Sequence, residues 1–188
     1  MSHPHAHFLD KMSDYVLLNG LRQATLRPLA RAAGTSDRML IYHFGSKDGV
    51  IAALIDHLVQ RLTALLDAAL LPAPGTAYEL IADLLAQMDN PFAHAYTCIW
   101  LEVVAEAARS VAVYQTAADR ILVHFEGWIT ARLPNTGRSP QDISSEASLV
   151  LAIIEGCMMI GATGPQGAMI RNAALAQFSA ITTASRSA

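Results

Sequence analysis

The sequence predicts an all-α fold, and three observations lead there. Apolar residues recur at roughly three- to four-residue intervals, alanine is frequent, and no stretch sustains strand-like alternation between turns. With 53% hydrophobic and 15% charged residues, the 188-residue chain can bury a real core, which excludes a disordered or tail-like protein.

Phe8, Met12, Tyr15 and Val16 share one face of a first helix, which Asn19-Gly20 stops. Thr25 caps a second helix with Leu26, Leu29, Ala30 and Ala33 inward; Pro28 falls in its first turn, where a missing N–H costs little. Gly34 ends it. Ser36 caps a third helix, Asp37 suits the dipole at its start, and it stops near Phe44-Gly45. Ser46 caps a long fourth helix, about 47–70, whose apolar residues from Val50, Ile51 and Leu54 to Leu62, Leu65 and Leu66 keep the helical period. Pro72-Ala-Pro74-Gly75 breaks the chain. Helices follow at roughly 76–89, 91–108, 110–133, 141–162 and, after Gly164-Pro165-Gln-Gly167, 168–183; the tail from Thr183 to Ala188 is expected to fray.

Residues 147–170 carry one charge, Glu155, near the middle, and Gly161, Gly164, Pro165 and Gly167 interrupt the second half. They read as a buried interface, with no membrane partner. The N-terminus has no apolar targeting core, and two cysteines, Cys98 and Cys157, make no disulfide framework. A cytoplasmic location follows.

The net charge is −3, which argues against a uniformly basic coat. It divides unevenly. Residues 1–57 hold six basic groups (Lys11, Arg22, Arg27, Arg31, Arg38, Lys47) against five acidic ones, net +1; the remaining seven basic and eleven acidic groups give −4. Thr25 to Phe44 reads helix, glycine turn, helix, the grammar of a helix-turn-helix. Ala30 and Ala33 keep the helices close. Asp37, Arg38, Met39 and Tyr42 point outward, and Leu40 and Phe44 inward.

Thr25-Leu-Arg-Pro-Leu-Ala-Arg-Ala-Ala-Gly-Thr-Ser36, with Leu40-Ile-Tyr-His-Phe-Gly-Ser-Lys-Asp-Gly49 after it, resembles the DNA-binding domain of TetR-type (tetracycline-repressor-like) transcriptional regulators over roughly residues 8–58. Trp100-Leu-Glu-Val-Val-Ala-Glu-Ala-Ala-Arg109 is similar to the middle of the family's ligand domain, and Ile153-Ile-Glu-Gly-Cys-Met-Met159 to its dimerisation helix. The resemblance implies a three-helix helix-turn-helix domain, residues 1–48, followed by a helical ligand-binding and dimerisation domain, residues 49–188. It implies a homodimeric repressor on a near-palindromic double-stranded DNA operator, released by a small, largely apolar effector. By position, Thr25 and Lys47 would meet phosphates. Ser36, Asp37, Arg38 and Met39 would begin the recognition helix, with Tyr42 and His43 following.

There are departures. Ile41 stands where the family usually has a phosphate-binding Tyr, so either Tyr42 supplies the hydroxyl or the contact is absent. Asp37 either caps its helix or accepts from a cytosine amino group. No Lys or Arg precedes Phe8. These departures keep a second reading open, a helical scaffold or adaptor with a weakened DNA-binding head.

The effector-binding residues expected first are Tyr96, Trp100 and Phe125, then Met88 and Trp128, because such pockets are apolar with few polar groups. Leu149, Ile153, Cys157, Ile160, Ile170, Ala174 and Phe178 are expected at an isologous four-helix interface. His3, His5 and His7 read as terminal residues in preference to a metal site. Glu102, Glu106 and His94 read as a polar helix face in preference to a cation site. Phosphate-loop, nucleophile-elbow and zinc-protease spacings are missing, so neither an enzyme, a metal nor a cofactor is expected.

Overall fold

The structure, a computed structural model, describes residues 4–70, 75–88, 90–134 and 137–186. Among these residues the chain forms nine α-helices, one short 3-10 turn and no strand. The helices are α1 (Pro4–Asn19), α2 (Leu26–Ala33), α3 (Asp37–Phe44), α4 (Lys47–Ala69), α5 (Ala77–Gln87), α6 (Pro91–Ala108), α7 (Ala112–Thr130), α8 (Pro140–Gly161) and α9 (Pro165–Arg186); the 3-10 turn is Leu21–Gln23.

The chain packs as two units. The first comprises Met1–Leu65 and Ala95–Ile121. Its core joins Met12 and Val16 of α1, Leu29, Ala30 and Ala33 of α2, Leu40 of α3, and Val50, Ile51, Leu54, Ile55 and Leu58 of α4. Tyr96, Ile99 and Val103 of α6 are buried in the same unit. Alanines at 30 and 33 let α2 approach its neighbours closely, and α2 packs against both α1 and α3. Asp10 lies 2.8 Å from His57 Nε2 and Asp14 2.8 Å from Arg61, so α1 is also tied to α4.

The second unit comprises Leu66–His94 and Leu122–Ala188. Leu80, Ile81, Leu84 and Leu85 of α5 meet Trp128, Ile129 and Leu133 at the end of α7, and Ile143, Ala147, Val150 and Ile154 of α8. The α9 helix packs on α5 and α8. Thr76 Oγ1 accepts from the Glu79 N–H at 3.1 Å, and the Glu79 carboxylate accepts from the Gly75 N–H at 2.5 Å. Reciprocal bonds of this kind fix where a helix begins. Ser139 caps α8 by accepting from the Asp142 N–H, with Pro140 in the first helical position.

Local expectations and structure differ at three places. The last helix begins at Pro165, since a proline is preorganised for a first helical position, and it runs to Arg186, past the expected frayed start at Thr183. Thr25 occupies the cap position of α2 in extended geometry, but its hydroxyl makes no capping bond. Phe44 is half-buried only, with the His5 ring 5.3 Å from its own. The expected break at Pro72–Pro74 and the histidine at position 3 lie outside the described residues. The two units are units of packing, and neither has a boundary at 48–49.

Candidate nucleic-acid interface

The turn between α2 and α3 forms because Gly34 takes the left-handed conformation (φ 70°) and its N–H reaches the carbonyls of Ala30 and Arg31. Ser36 Oγ then accepts from the Met39 N–H at 3.3 Å and starts α3. Leu40 is fully buried beneath α3. Asp37, Arg38, Met39 and Tyr42 are exposed, Tyr42 at 78%. Ile41 is half-buried, so the hydroxyl on this outer surface is that of Tyr42. His43 is half-buried within a ring cluster: His5, Phe8 and Tyr42 lie 4.8, 5.4 and 5.3 Å from it, centroid to centroid. His5 Nε2 and His43 Nδ1 are 3.0 Å apart and share one hydrogen.

The string from Phe44 to Gly49 has a physical reason at each position. Gly45 ends α3, donating its N–H to the Ile41 carbonyl at 2.8 Å. Ser46 Oγ accepts from the Gly49 N–H at 2.9 Å and caps α4. A Cβ on residue 49 would overlap the Phe44 carbonyl oxygen. Glycine there lets α4 start directly against the end of α3. Lys47 is thereby held exposed at the first position of a long helix, where dipole and ammonium both favour an anion.

The cations divide as the elements do. Lys11, Arg22, Arg27, Arg31, Arg38 and Lys47 are exposed, and their charged groups pair with no carboxylate among the described residues. Farther along the chain, Arg61, Arg109, Arg120, Arg132 and Arg138 each meet one: Asp14, Glu106, Asp56, Asp67 and Glu146. Arg27 and Arg31 were not among the sequence candidates. They stand one turn apart on α2 and, with Tyr15, Pro28 and Ala32, line a shallow cleft of about 280 Å³. Their spacing was a usable signal, because no acid sits a turn away on either side to neutralise them.

Glu102 was read only as part of a polar face. Instead its carboxylate accepts from the N–H groups of Leu21 and Arg22 at 3.2 and 2.6 Å. Its neighbour Glu106 lies 4.0 Å from Arg109, and His94 belongs to the other unit.

The effector candidates fall in both units. In the first, Tyr96 is buried and Trp100 half-buried on α6. Burial pushes the Tyr96 phenol above its ordinary pKa, with Arg61 opposing the shift. In the second, Trp128 is built into the core: its indole N–H donates to Asp67 at 2.9 Å, and Arg132, itself paired with Asp67, lies 3.6 Å over its ring. Phe125 meets Trp128 edge-on at 6.4 Å, and Met88 packs against the same core.

The interface candidates also separate. Leu149, Ile160 and Ile170 are exposed, whereas Ile153, Cys157 and Phe178 pack partly against the core of the second unit, and Ala174 is half-buried. Met159, Met169 and Ile181 add exposed apolar surface to α8 and α9. Burial raises the Cys157 thiol pKa, with Arg171 opposing. Among the described residues, no cluster of three or more His, Cys, Asp or Glu is placed to hold a metal ion.

Residues 17–54 match the profile of bacterial regulatory proteins of the tetR family. No protein of curated function matches the sequence. Among solved structures, a predicted TetR-family transcriptional regulator of Rhodococcus sp. superposes with a TM-score of 0.72 at 18% identity, over 96% of this chain and 98% of that one. A TetR-family transcriptional regulator of Cytophaga hutchinsonii does so with a TM-score of 0.70 at 16% identity, over 94% and 93%. A transcriptional regulator of Rhodococcus sp. Rha1 gives 0.66 at 20% identity, over 97% of each chain. At these identities the likeness is one of fold, and it extends along nearly the whole chain.

Proposed function

From the match of residues 17–54 to the profile of bacterial regulatory proteins of the tetR family, we propose that the chain belongs to that family and is a homodimeric repressor of transcription released by a small apolar effector. The observation that carries this reading is that, among the described residues, Lys11, Arg22, Arg27, Arg31, Arg38 and Lys47 are exposed and pair with no carboxylate, whereas Arg61, Arg109, Arg120, Arg132 and Arg138 each do. A duplex carries closely spaced negative charge, and cations with no internal partner are free to displace its counterions.

In this reading α3 enters the major groove. Arg38 reaches a base edge or a phosphate, Asp37 and Met39 stand beside it, and Tyr42 supplies the hydroxyl that Ile41 cannot. Thr25, whose hydroxyl is not spent on capping, and Lys47 bracket the helix on phosphates, with Arg27 and Arg31 beyond them. Ser36 serves as the helix cap. His43, held among rings, shapes the end of the helix and makes no direct contact.

The exposed apolar side chains of α8 and α9 support a second copy as the partner, since so much oily surface is seldom left in water. Two heads must then sit about 34–36 Å apart to occupy successive major grooves, and the effector acts by favouring a dimer with another spacing. Of the residues ranked first for effector contact, Tyr96 and Trp100 lie in the first unit and Phe125 in the second, Trp100 and Phe125 being half-buried.

A cytoplasmic location goes with this role. Helices α4 and α8 are long and apolar enough to cross a membrane. However, α4 lays its apolar side into the core of the first unit and carries paired Asp56 and Arg61. The scaffold reading loses ground for the same reason as the repressor gains it: Arg38 and Lys47 remain exposed and unspent.

The test is binding of purified protein to duplexes from the region upstream of its own gene, against random duplex of equal length. Preference for an inverted repeat supports the proposal. Equal affinity for all duplexes refutes it.

A further inference from the structure

The chain between α1 and α2 makes a sharp turn at Gly20, where φ is 82° and ψ 159°, a backbone region that suits glycine and little else. The next two N–H groups, of Leu21 and Arg22, open the 3-10 turn and have no carbonyl to meet. Glu102, some eighty residues later on α6, accepts both, at 3.2 and 2.6 Å. One carboxylate oxygen also rests against the Cα of Gly20, so closely that a Cβ there would stand only 2.9 Å from it. Glu102 meets no cation: it forms no ion pair with any Lys, Arg or His among the described residues. Both of its hydrogen bonds among the described residues go to the backbone of this turn.

We infer that Glu102 is a positioning residue for DNA binding. It holds the α1–α2 turn, and through it the direction in which α2 and α3 are presented. This rests on the regulator reading above and adds to it a specific place where α6 grips the head. Three features argue for a positioning part. The bonds are charge-assisted, which makes them about twice as strong as neutral ones. They fall on two consecutive N–H groups, which fixes the orientation of the turn as well as its place. They leave from α6, the helix that also carries Tyr96 and Trp100, so a displacement of α6 loosens the turn without touching α3. A head that spends only part of its time in the binding geometry loses affinity in proportion to that fraction.

The experiment uses the full chain with Glu102→Ala and Glu102→Gln. Amide hydrogen exchange at Leu21 and Arg22 reads the grip directly. Titration of a duplex from the gene's own upstream region, beside a random duplex, reads its consequence. Glu102→Ala should speed exchange at both amides and weaken specific binding by about tenfold. Random-duplex binding and its salt dependence should stay within about twofold, since every head cation remains. Glu102→Gln, which keeps one carbonyl acceptor, should fall between. Unchanged exchange in Glu102→Ala overturns the grip. Faster exchange with unchanged specific affinity overturns the positioning role. An equal loss on both duplexes makes Glu102 a support of the fold only and also overturns it. A wild type with no preference between the duplexes sinks the regulator reading, whereas a wild type that discriminates beside an unaltered Glu102→Ala sinks this inference alone.

Discussion

Replacing Lys47 with alanine isolates the electrostatic part of DNA binding. Lys47 is exposed at the first position of α4 and pairs with no carboxylate among the described residues, so its loss breaks no ion pair there. In a homodimer the change removes two cations. Each phosphate neutralised contributes about −0.9 to the slope of log K against log salt on duplex DNA, so the slope should become shallower by roughly 1.8. The loss should be nearly the same for every sequence, because a phosphate contact carries no base information. Arg38→Ala offers a contrast. If Arg38 reads a base edge, it costs about 1–3 kcal/mol on the preferred duplex and little on a random one. Arg120→Ala is the control, since that guanidinium lies 2.7 Å from Asp56 and its charge is already spent. Fluorescence anisotropy on labelled duplexes between about 50 and 200 mM salt measures all three. A Lys47→Ala slope equal to that of the wild type, or an equal change in Arg120→Ala, refutes the idea that unpaired cations make the contact.

Three further outcomes are expected. Gly49→Ala forces a methyl group onto the Phe44 carbonyl and should cost about 1–3 kcal/mol, with DNA binding lost as α3 and α4 part; thermal unfolding and gel shift check it, and an unaltered Tm counts against the close approach. Leu149→Glu with Met169→Glu places charge on the exposed apolar sides of α8 and α9 and should halve the mass seen by light scattering; a mass equal to that of the wild type removes this surface from the interface. Ser13→Ala deletes a fully buried hydroxyl that has no hydrogen-bond partner among the described residues, and should raise stability in urea by up to about 1 kcal/mol; a loss of that size would mean the hydroxyl is bonded in solution.

What the sequence made legible was local. Asn19-Gly20, Gly34, Ser36, Gly45 and Ser46 each act within four residues of themselves, so their residue types announce their roles. Leu40 inside and Tyr42 outside follow from helical period alone. The rest depends on partners distant in the chain. Glu102 and Leu21 are 81 residues apart, and nothing near Glu102 distinguishes it from a solvated face residue. Trp128 ranked behind Phe125 as an effector contact, and nothing near it in the chain shows that its indole N–H goes to Asp67, 61 residues away. Period shows that a face is apolar, without showing what the face meets. The seven interface candidates on α8 and α9 therefore divide between exposed surface and the core of their own unit. Arg27 and Arg31 were visible as charges, but that they stay unpaired is a fact of packing.

Packing also resolves the tension between a net charge of −3 and a DNA partner. Four of the eight acids of the first unit are paired with groups on other elements, while Glu106 meets Arg109 beside its own helix and Asp119 stays exposed on α7. Asp10 and Asp14 of α1 are spent on His57 and Arg61 of α4, Asp56 on Arg120 of α7, and Glu102 on the backbone of the α1–α2 turn. Asp37 and Asp48 remain exposed, and each sits in the first turn of a helix, where the local dipole offsets it. Fields from exposed charges die away over about 8 Å at physiological salt, so a phosphate feels the surface it touches and not the sum over the chain. The surface proposed for the duplex carries Arg27, Arg31, Arg38 and Lys47, none of them paired with a carboxylate among the described residues. The arrangement spends acid on tying the elements of the first unit together and leaves these bases exposed, which is what the proposed duplex contact requires.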